Sequence, residues 1–262
     1  MIGGQTISGF VIAYNEQARI GDCLESMKWA DELVVVDSYS TDATVEIARR
    51  YTDKIVQRQF DGHVAQTAFA FSQVTGDWVL WLDADERLTP QAADEVRREL
   101  ERPGGPAYDG FAFPRKTMYL GKWTTHGGWY PQHKVRLARR AAARVVGGEP
   151  HPELTVDGRV KRLAGDILHL SFPGGVMDYA RRSLSYADIA ARTRFAQGRR
   201  AGWTSILLKP VGAFLKSYVL KRGFLDGVPG LAVGMGTAFH RFTRELRLWE
   251  LGREGSDGCA GG

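Results

Sequence analysis

Apolar and polar positions alternate between two periods along the first hundred residues. Ile7–Ala13 is a largely apolar run, read as a buried strand, and Ile20, Leu24 and Met27 then recur at helical spacing, with Asn15 or a neighbour available as cap. Leu33–Asp37 is a second, β-branched strand, followed by a turn at Ser38–Asp42 and a helix near 43–51. Lys54–Gln57 predicts a third strand, 64–74 a helix, and Asp77–Leu82 a fourth strand ending in Asp83-Ala84-Asp85-Glu86. Thr89-Pro90 then opens a helix buried through Ala93, Val96 and Leu100, with threonine as cap and proline in the first turn.

Strand–helix alternation of this kind predicts an α/β fold: a mixed, mostly parallel sheet covered by helices. Ligands of such sheets bind at the carboxyl ends of the strands, where Tyr14, Asp37 and the acidic cluster all fall. Asp83 and Asp85 flank a small alanine, and two carboxylates so close together face solvent or a cation. A hard divalent ion, Mg²⁺ or Mn²⁺, suits such oxygens and completes its shell with substrate phosphates. Asp37 is placed to take a ribose hydroxyl or base N–H, or to cap the next helix; Tyr14 is placed to stack on a base or to cover the sheet edge.

There is no glycine-rich phosphate loop, which disfavours dinucleotide and P-loop sites and leaves scattered cations, Arg58, Lys134 and Arg136, as diphosphate partners. The histidines have no zinc-like spacing. Two cysteines, Cys23 and Cys259, make no disulfide framework and favour a reducing compartment. No signal peptide or membrane-spanning stretch is evident.

Val11–Glu16, Val34–Asp42 and Gly76–Glu86 resemble the motifs of family 2 glycosyltransferases, specifically the bacterial lipopolysaccharide-core glucosyltransferase branch. Trp129-Tyr130-Pro131, Arg136-Leu137, His169, Phe214–Gly227 and Leu248-Trp249-Glu250 extend the resemblance over roughly residues 5–251. It implies a GT-A fold and inverting transfer of a sugar, glucose in this branch, from a UDP-sugar to a membrane-bound glycolipid such as lipopolysaccharide core. By the same carry-over, Tyr14, Asn15, Glu16, Asp37, Asp83 and Ala84 line the nucleotide, and Asp85, with Asp83, binds the metal.

The chain departs from the family pattern twice. Gln66-Thr67-Ala68 stands where a basic residue and an asparagine usually follow the glutamine, and Pro152 occupies the acid position after His151. Glu153 is therefore the first choice for the catalytic base, Glu149 the second, and His151 a further acid–base group. These departures leave room for a non-catalytic nucleotide-sugar-binding or scaffold protein. A polyprenyl-linked or capsule glycan is an alternative acceptor.

The expected organisation is a catalytic domain over 1–172, with a nucleotide half at 5–102 and an acceptor half at 103–172. A helical extension follows over 173–251, then a disordered tail at 252–262. The chain carries a net charge of +5, and Arg199–Arg253 holds ten Lys/Arg against three Asp/Glu. There Phe214, Tyr218, Phe224, Leu225, Phe239, Phe242 and Trp249 alternate with Lys216, Lys221, Arg222, Arg241, Arg244 and Arg247. That pattern suits the interface of an anionic membrane rather than nucleic acid, for which no binding motif accompanies it; joined to the resemblance, it implies the cytoplasmic face of a bacterial plasma membrane. The oligomeric state stays open.

Overall fold

The computed structural model describes residues 1–149 and 151–257. They form two compact units, Met1–Lys116 with Gln132–Leu170, and Thr117–Pro131 with Ser171 onward. The boundary expected after residue 172 falls after Leu170, and Thr117–Pro131, expected in the acceptor half, clusters with the helices instead.

The first unit is built on β1 (Ile7–Ala13), β2 (Glu32–Asp37), β3 (Ile55–Gln57) and β4 (Trp78–Trp81), paired in parallel in the order β3-β2-β1-β4. β5 (Glu86–Leu88), β6 (Gly110–Tyr119), β8 (Gln132–Arg139), β11 (Val160–Arg162) and β12 (Ile167–His169) extend the sheet. β8 runs antiparallel to both β4 and β6, and β12 antiparallel to β5, so the sheet is mixed. β9 (Ala143–Gly148) and β10 (His151–Val156) form a separate antiparallel hairpin.

Why the strands are continuous apolar runs is visible in the core. Ile7, Val11, Leu33, Val35, Trp78 and Leu80 point to one face, where α1 (Ile20–Met27) and α4 (Pro90–Leu100) cover them. Phe10, Val34, Val36, Val79 and Trp81 point to the other, under α3 (His63–Ser72). A sheet covered on both sides leaves no polar alternation to read. The helix expected at 43–51 shortens to α2 (Thr44–Ala48). Thr89 caps α4 as expected, accepting the Ala92 N–H at 3.3 Å. Asn15 does not cap α1, whose first turn follows Arg19 with no side-chain cap.

In the second unit α5 (Gly175–Ala196), α6 (Trp203–Phe214) and α7 (Val228–Asp257) pack together, and β7 (Lys122–Trp123) pairs with the end of β6. Buried Asp226 anchors the loop after β7, accepting the N–H groups of Thr125 at 2.9 Å and His126 at 2.8 Å and lying 2.9 Å from His126 Nδ1. Tyr119, Trp129, Phe172 and Tyr179 form a cluster of mutually contacting rings, whose burial pushes the Tyr179 hydroxyl up to about 12. The tail expected from Gly252 starts no earlier than residue 258, because α7 continues to Asp257; Gly258–Gly262, with Cys259, lie outside the described residues. Cys23 is a buried free thiol.

Candidate functional site

The parallel register brings the expected residues to one edge. Ala13 pairs with Asp37, and Phe10 with Trp81, so Tyr14, Ser38 and the acidic cluster all leave the sheet at carboxyl ends of adjacent strands. The first two loops are tied together by side chains. Asn15 Oδ1 accepts the Thr41 N–H at 2.9 Å, its own N–H donates to Ser40 Oγ at 2.9 Å, and the Glu16 N–H donates to Thr44 Oγ1 at 2.7 Å. Asn15 and Tyr39 both sit in the left-handed region, at φ 54° and 61°, a conformation that a bulky tyrosine adopts only when its surroundings impose it. Tyr14 and Tyr39 are 59% and 52% exposed, so the knitted loops display two aromatic rings. Tyr39 was not singled out by the sequence.

Asp37 is engaged in the turn that follows its strand. It is fully buried, and its carboxylate accepts the Ser40 N–H at 3.0 Å, the Ser40 hydroxyl, and Gln57 Nε2 at 3.2 Å. With its oxygens turned inward it shapes the Ser38–Ser40 turn rather than offering them at the surface. Glu16 is likewise engaged, 2.6 Å from Arg19 Nη2.

The acidic cluster divides by partner. Asp83 Oδ2 lies 2.6 Å from Arg136 Nη2, and buried Glu86 lies 2.8 Å from the same nitrogen. Arg136 is itself buried, its guanidinium 4.2 Å over the Trp81 ring. Asp85 points elsewhere, with Oδ2 at 3.5 Å from His169 Nε2 and 4.0 Å from Arg19 Nη1. Burial pushes the Asp85 carboxyl up, but the hydrogen bond and charge of His169, with Arg19 and Arg115, outweigh it and hold the group below the usual range. For Asp83 burial wins over Arg136, and the neighbouring carboxylates add to it, so its carboxyl is held above the usual range. Ala84 is buried between them, a residue small enough to let the chain turn there.

His169 is the residue that the sequence did not assign. It reaches Asp85 because β12 pairs with β5, setting His169 opposite Glu86, and because the Leu170 N–H donates to Asp85 O at 2.9 Å. Among the described residues no three His, Cys, Asp or Glu side chains converge into a complete metal site. Asp85 supplies the carboxylate oxygen that Mg²⁺ or Mn²⁺ takes when phosphate oxygens fill the remaining positions, with the His169 nitrogen beside it.

The three base candidates separate as well. Glu149 caps α3: its carboxylate accepts the His63 and Val64 N–H groups at 2.9 and 2.8 Å. Gly62 makes room for it, since a Cβ there would lie 2.7 Å from Glu149 Oε1. Glu153 is 56% exposed, with Oε1 3.3 Å from Lys134 Nζ. His151 and Glu153, two apart on β10, share a face of the hairpin. Partial desolvation, then the charges of Lys134, His63 and Arg115, lower the His151 pKa, keeping its ring neutral and able to accept a proton. Arg115 also acts on Asp83, Asp85 and Glu86, so it relates the hairpin to the acidic cluster.

The departures in α3 have structural counterparts. Gln66 is buried and donates to Ser38 Oγ at 3.1 Å, while Thr67 is buried with its hydroxyl unpaired. Of the cations expected at a diphosphate, Arg136 is committed to Asp83 and Glu86. Arg58 stacks 4.5 Å over Phe69 and donates to Ala65 O at 2.9 Å.

Comparison with known proteins agrees with the motifs. The family model described as glycosyl transferase family 2 matches residues 8–148. The chain is 28% identical over 261 residues to the lipopolysaccharide core biosynthesis glycosyltransferase LpsC of Rhizobium meliloti, covering 95% of this chain and 94% of that one. It is 29% identical over 256 residues to the uncharacterized glycosyltransferase RT0209 of Rickettsia typhi, covering 94% and 87%. Similar solved structures include S. aureus TarS 1-349 in complex with UDP-GlcNAc, at 16% identity, TM-score 0.46 and coverage of 95% and 92%. Another is glucosyl-3-phosphoglycerate synthase from Mycobacterium tuberculosis with Mg²⁺ and UDP, at 26% identity, TM-score 0.35 and 45% coverage of each chain.

Proposed function

Since the chain belongs to glycosyl transferase family 2, we propose that it transfers a sugar, glucose, with inversion from a UDP-sugar to a membrane-bound glycolipid of the lipopolysaccharide-core type. The observation that carries this reading is the split of the acidic cluster: Arg136 ties down Asp83, while Asp85 turns to His169. Tyr14 and Tyr39 offer faces for the uracil, and Asp37 holds the turn that carries Tyr39. Asp83 stands on the nucleotide side. Asp85 and His169 would hold Mg²⁺ or Mn²⁺, which supplies charge stabilisation to the departing diphosphate. Glu153 takes the proton of the acceptor hydroxyl, and its ion pair with Lys134 holds the carboxylate in place for that step. His151, neutral beside it, can take the same proton.

A membrane acceptor agrees with the second unit. Trp203, Leu207, Val211 and Leu215 recur every four residues and are 71, 60, 56 and 49% exposed, with Leu208 and Leu220 at 68 and 76%. The exposed stripe is thus mainly aliphatic and runs along α6 into the residues after it. Phe214 and Tyr218, named from the sequence, stack on each other at 5.3 Å instead. No helix among the described residues is long and apolar enough to cross a membrane, so this face suits lying in the interface of an anionic bilayer. The name of the LpsC relative points to the same class of acceptor.

The test is a donor screen by UDP release, with Mn²⁺ and with or without a lipid-A-core extract, on wild type and on Asp85→Ala and His169→Ala. Transfer should occur with one UDP-sugar and fall about a hundredfold or more in both variants. Nucleotide binding with neither hydrolysis nor transfer, unchanged by Asp85→Ala, would leave a binding protein in place of an enzyme.

A further inference from the structure

Glu245 on α7 is completely buried, and it faces a group of cations drawn from α5, α6 and α7. Buried Arg244 donates to its Oε1 at 2.5 Å, and Lys209 of α6 donates to its Oε2 at 2.6 Å. Those two cations already satisfy both carboxylate oxygens. Arg194 of α5 reaches Oε1 only at 4.0 Å. Half-buried Arg241, one turn before Glu245 on α7, makes no ion pair or hydrogen bond among the described residues.

Four cations thus surround one carboxylate. Desolvation, then the charge of Arg244, lowers the pKa of both Arg194 and Arg241, and the opposing charge of Glu245 does not make up for it. On the same helices Arg192 is neutralised by Asp188 at 2.8 Å, and Arg247 by Asp188, Glu250 and Glu254. Clustered guanidinium forks beside an ammonium match the oxygens of a phosphate group, which can bridge several of them at once.

From this convergence we propose that Arg194, Lys209, Arg241 and Arg244 form a phosphate-binding site, taking a phosphate mono- or diester. The placement favours a lipid headgroup as its source, because Lys209 follows directly on Leu207 and Leu208, both exposed on the apolar stripe. This site does not depend on the nucleotide reading, since none of its residues belongs to the donor or metal machinery.

The experiment measures co-sedimentation of the full chain with phosphatidylcholine vesicles, with and without phosphatidylglycerol. The variants are Arg194→Gln/Arg241→Gln and a charge-matched control, Arg181→Gln/Arg192→Gln. Binding to the anionic vesicles should fall about fivefold for each site arginine removed and less than about twofold in the control. Inorganic phosphate should compete, whereas chloride at equal ionic strength should compete less. If phosphate raises the melting temperature of wild type but not of the site variant while vesicle binding is unchanged, the phosphate site stands and its source is a soluble ester. Equal losses in site variant and control, with no phosphate-specific effect, would overturn it. UDP binding in the presence of Mn²⁺ serves as the folding check and reports separately on the donor site; should the double variant fail it, Arg241→Gln alone is read, with a loss of about fivefold expected.

Discussion

Arg136 Nη2 lies 2.6 Å from Asp83 Oδ2, and the same guanidinium stacks over Trp81 and reaches buried Glu86. The strand-end acidic cluster is thereby anchored from β8, across the β4–β8 ladder. One cation holds two carboxylates in place and leaves Asp85 as the member free to turn toward His169.

Arg136→Met should therefore cost more than a surface arginine would. Removing one partner of a buried ion network leaves charge without compensation, which costs about 3–5 kcal/mol. Denaturant unfolding would measure the loss, and UDP release should fall with it because Asp83 is no longer positioned. A variant as stable as wild type would show that Arg136 does not anchor the cluster.

Glu149 and Glu153 should separate into structure and chemistry. Glu149→Ala removes the acceptor for two N–H groups at the start of α3 and should destabilise by about 1 kcal/mol. Glu153→Gln breaks only an exposed ion pair, so stability should stay within about 0.5 kcal/mol while transfer drops about 10²–10⁴-fold. Thermal melts and turnover on the two variants decide between them. Full activity in Glu153→Gln would move the base to His151, and the pH profile of that variant would then follow an imidazole.

Glu32 governs acid stability at the end of the sheet away from the site. Its carboxyl is almost enclosed; desolvation pushes it up, but Lys54, Ser8 and Thr75 together bring it down to about 2 from an ordinary 4.5. A folded-state value below the unfolded one adds stability that is complete above the unfolded value and lost as pH falls through the folded one. Glu32→Gln should thus cost about 3 kcal/mol near neutrality, and the gap to wild type should close as pH falls from about 4.5 toward 2. Unfolding free energies across that range would check this, and a gap that widened in acid would contradict it.

Much of the first unit was legible in the sequence because its signals are local. Short apolar runs identified β1, β2 and β4, and the turn chemistry of Thr89-Pro90 marked the start of α4. The carboxyl ends of parallel strands are fixed by chain direction alone, so Tyr14 and the acidic cluster could be placed without coordinates. What those residues do there was decided by pairings distant in sequence. His169 meets Asp85 only through the β12–β5 register, and Glu149 reaches α3 from a hairpin 85 residues along the chain. Asp37 faces inward and Asn15 binds the neighbouring loop instead of capping α1, because Ser40 and Thr41 fold back onto them. Periodicity records which residues a strand or helix buries, but a carboxylate's partner is set by which strands lie side by side and in what register. That information appears only when the sheet closes.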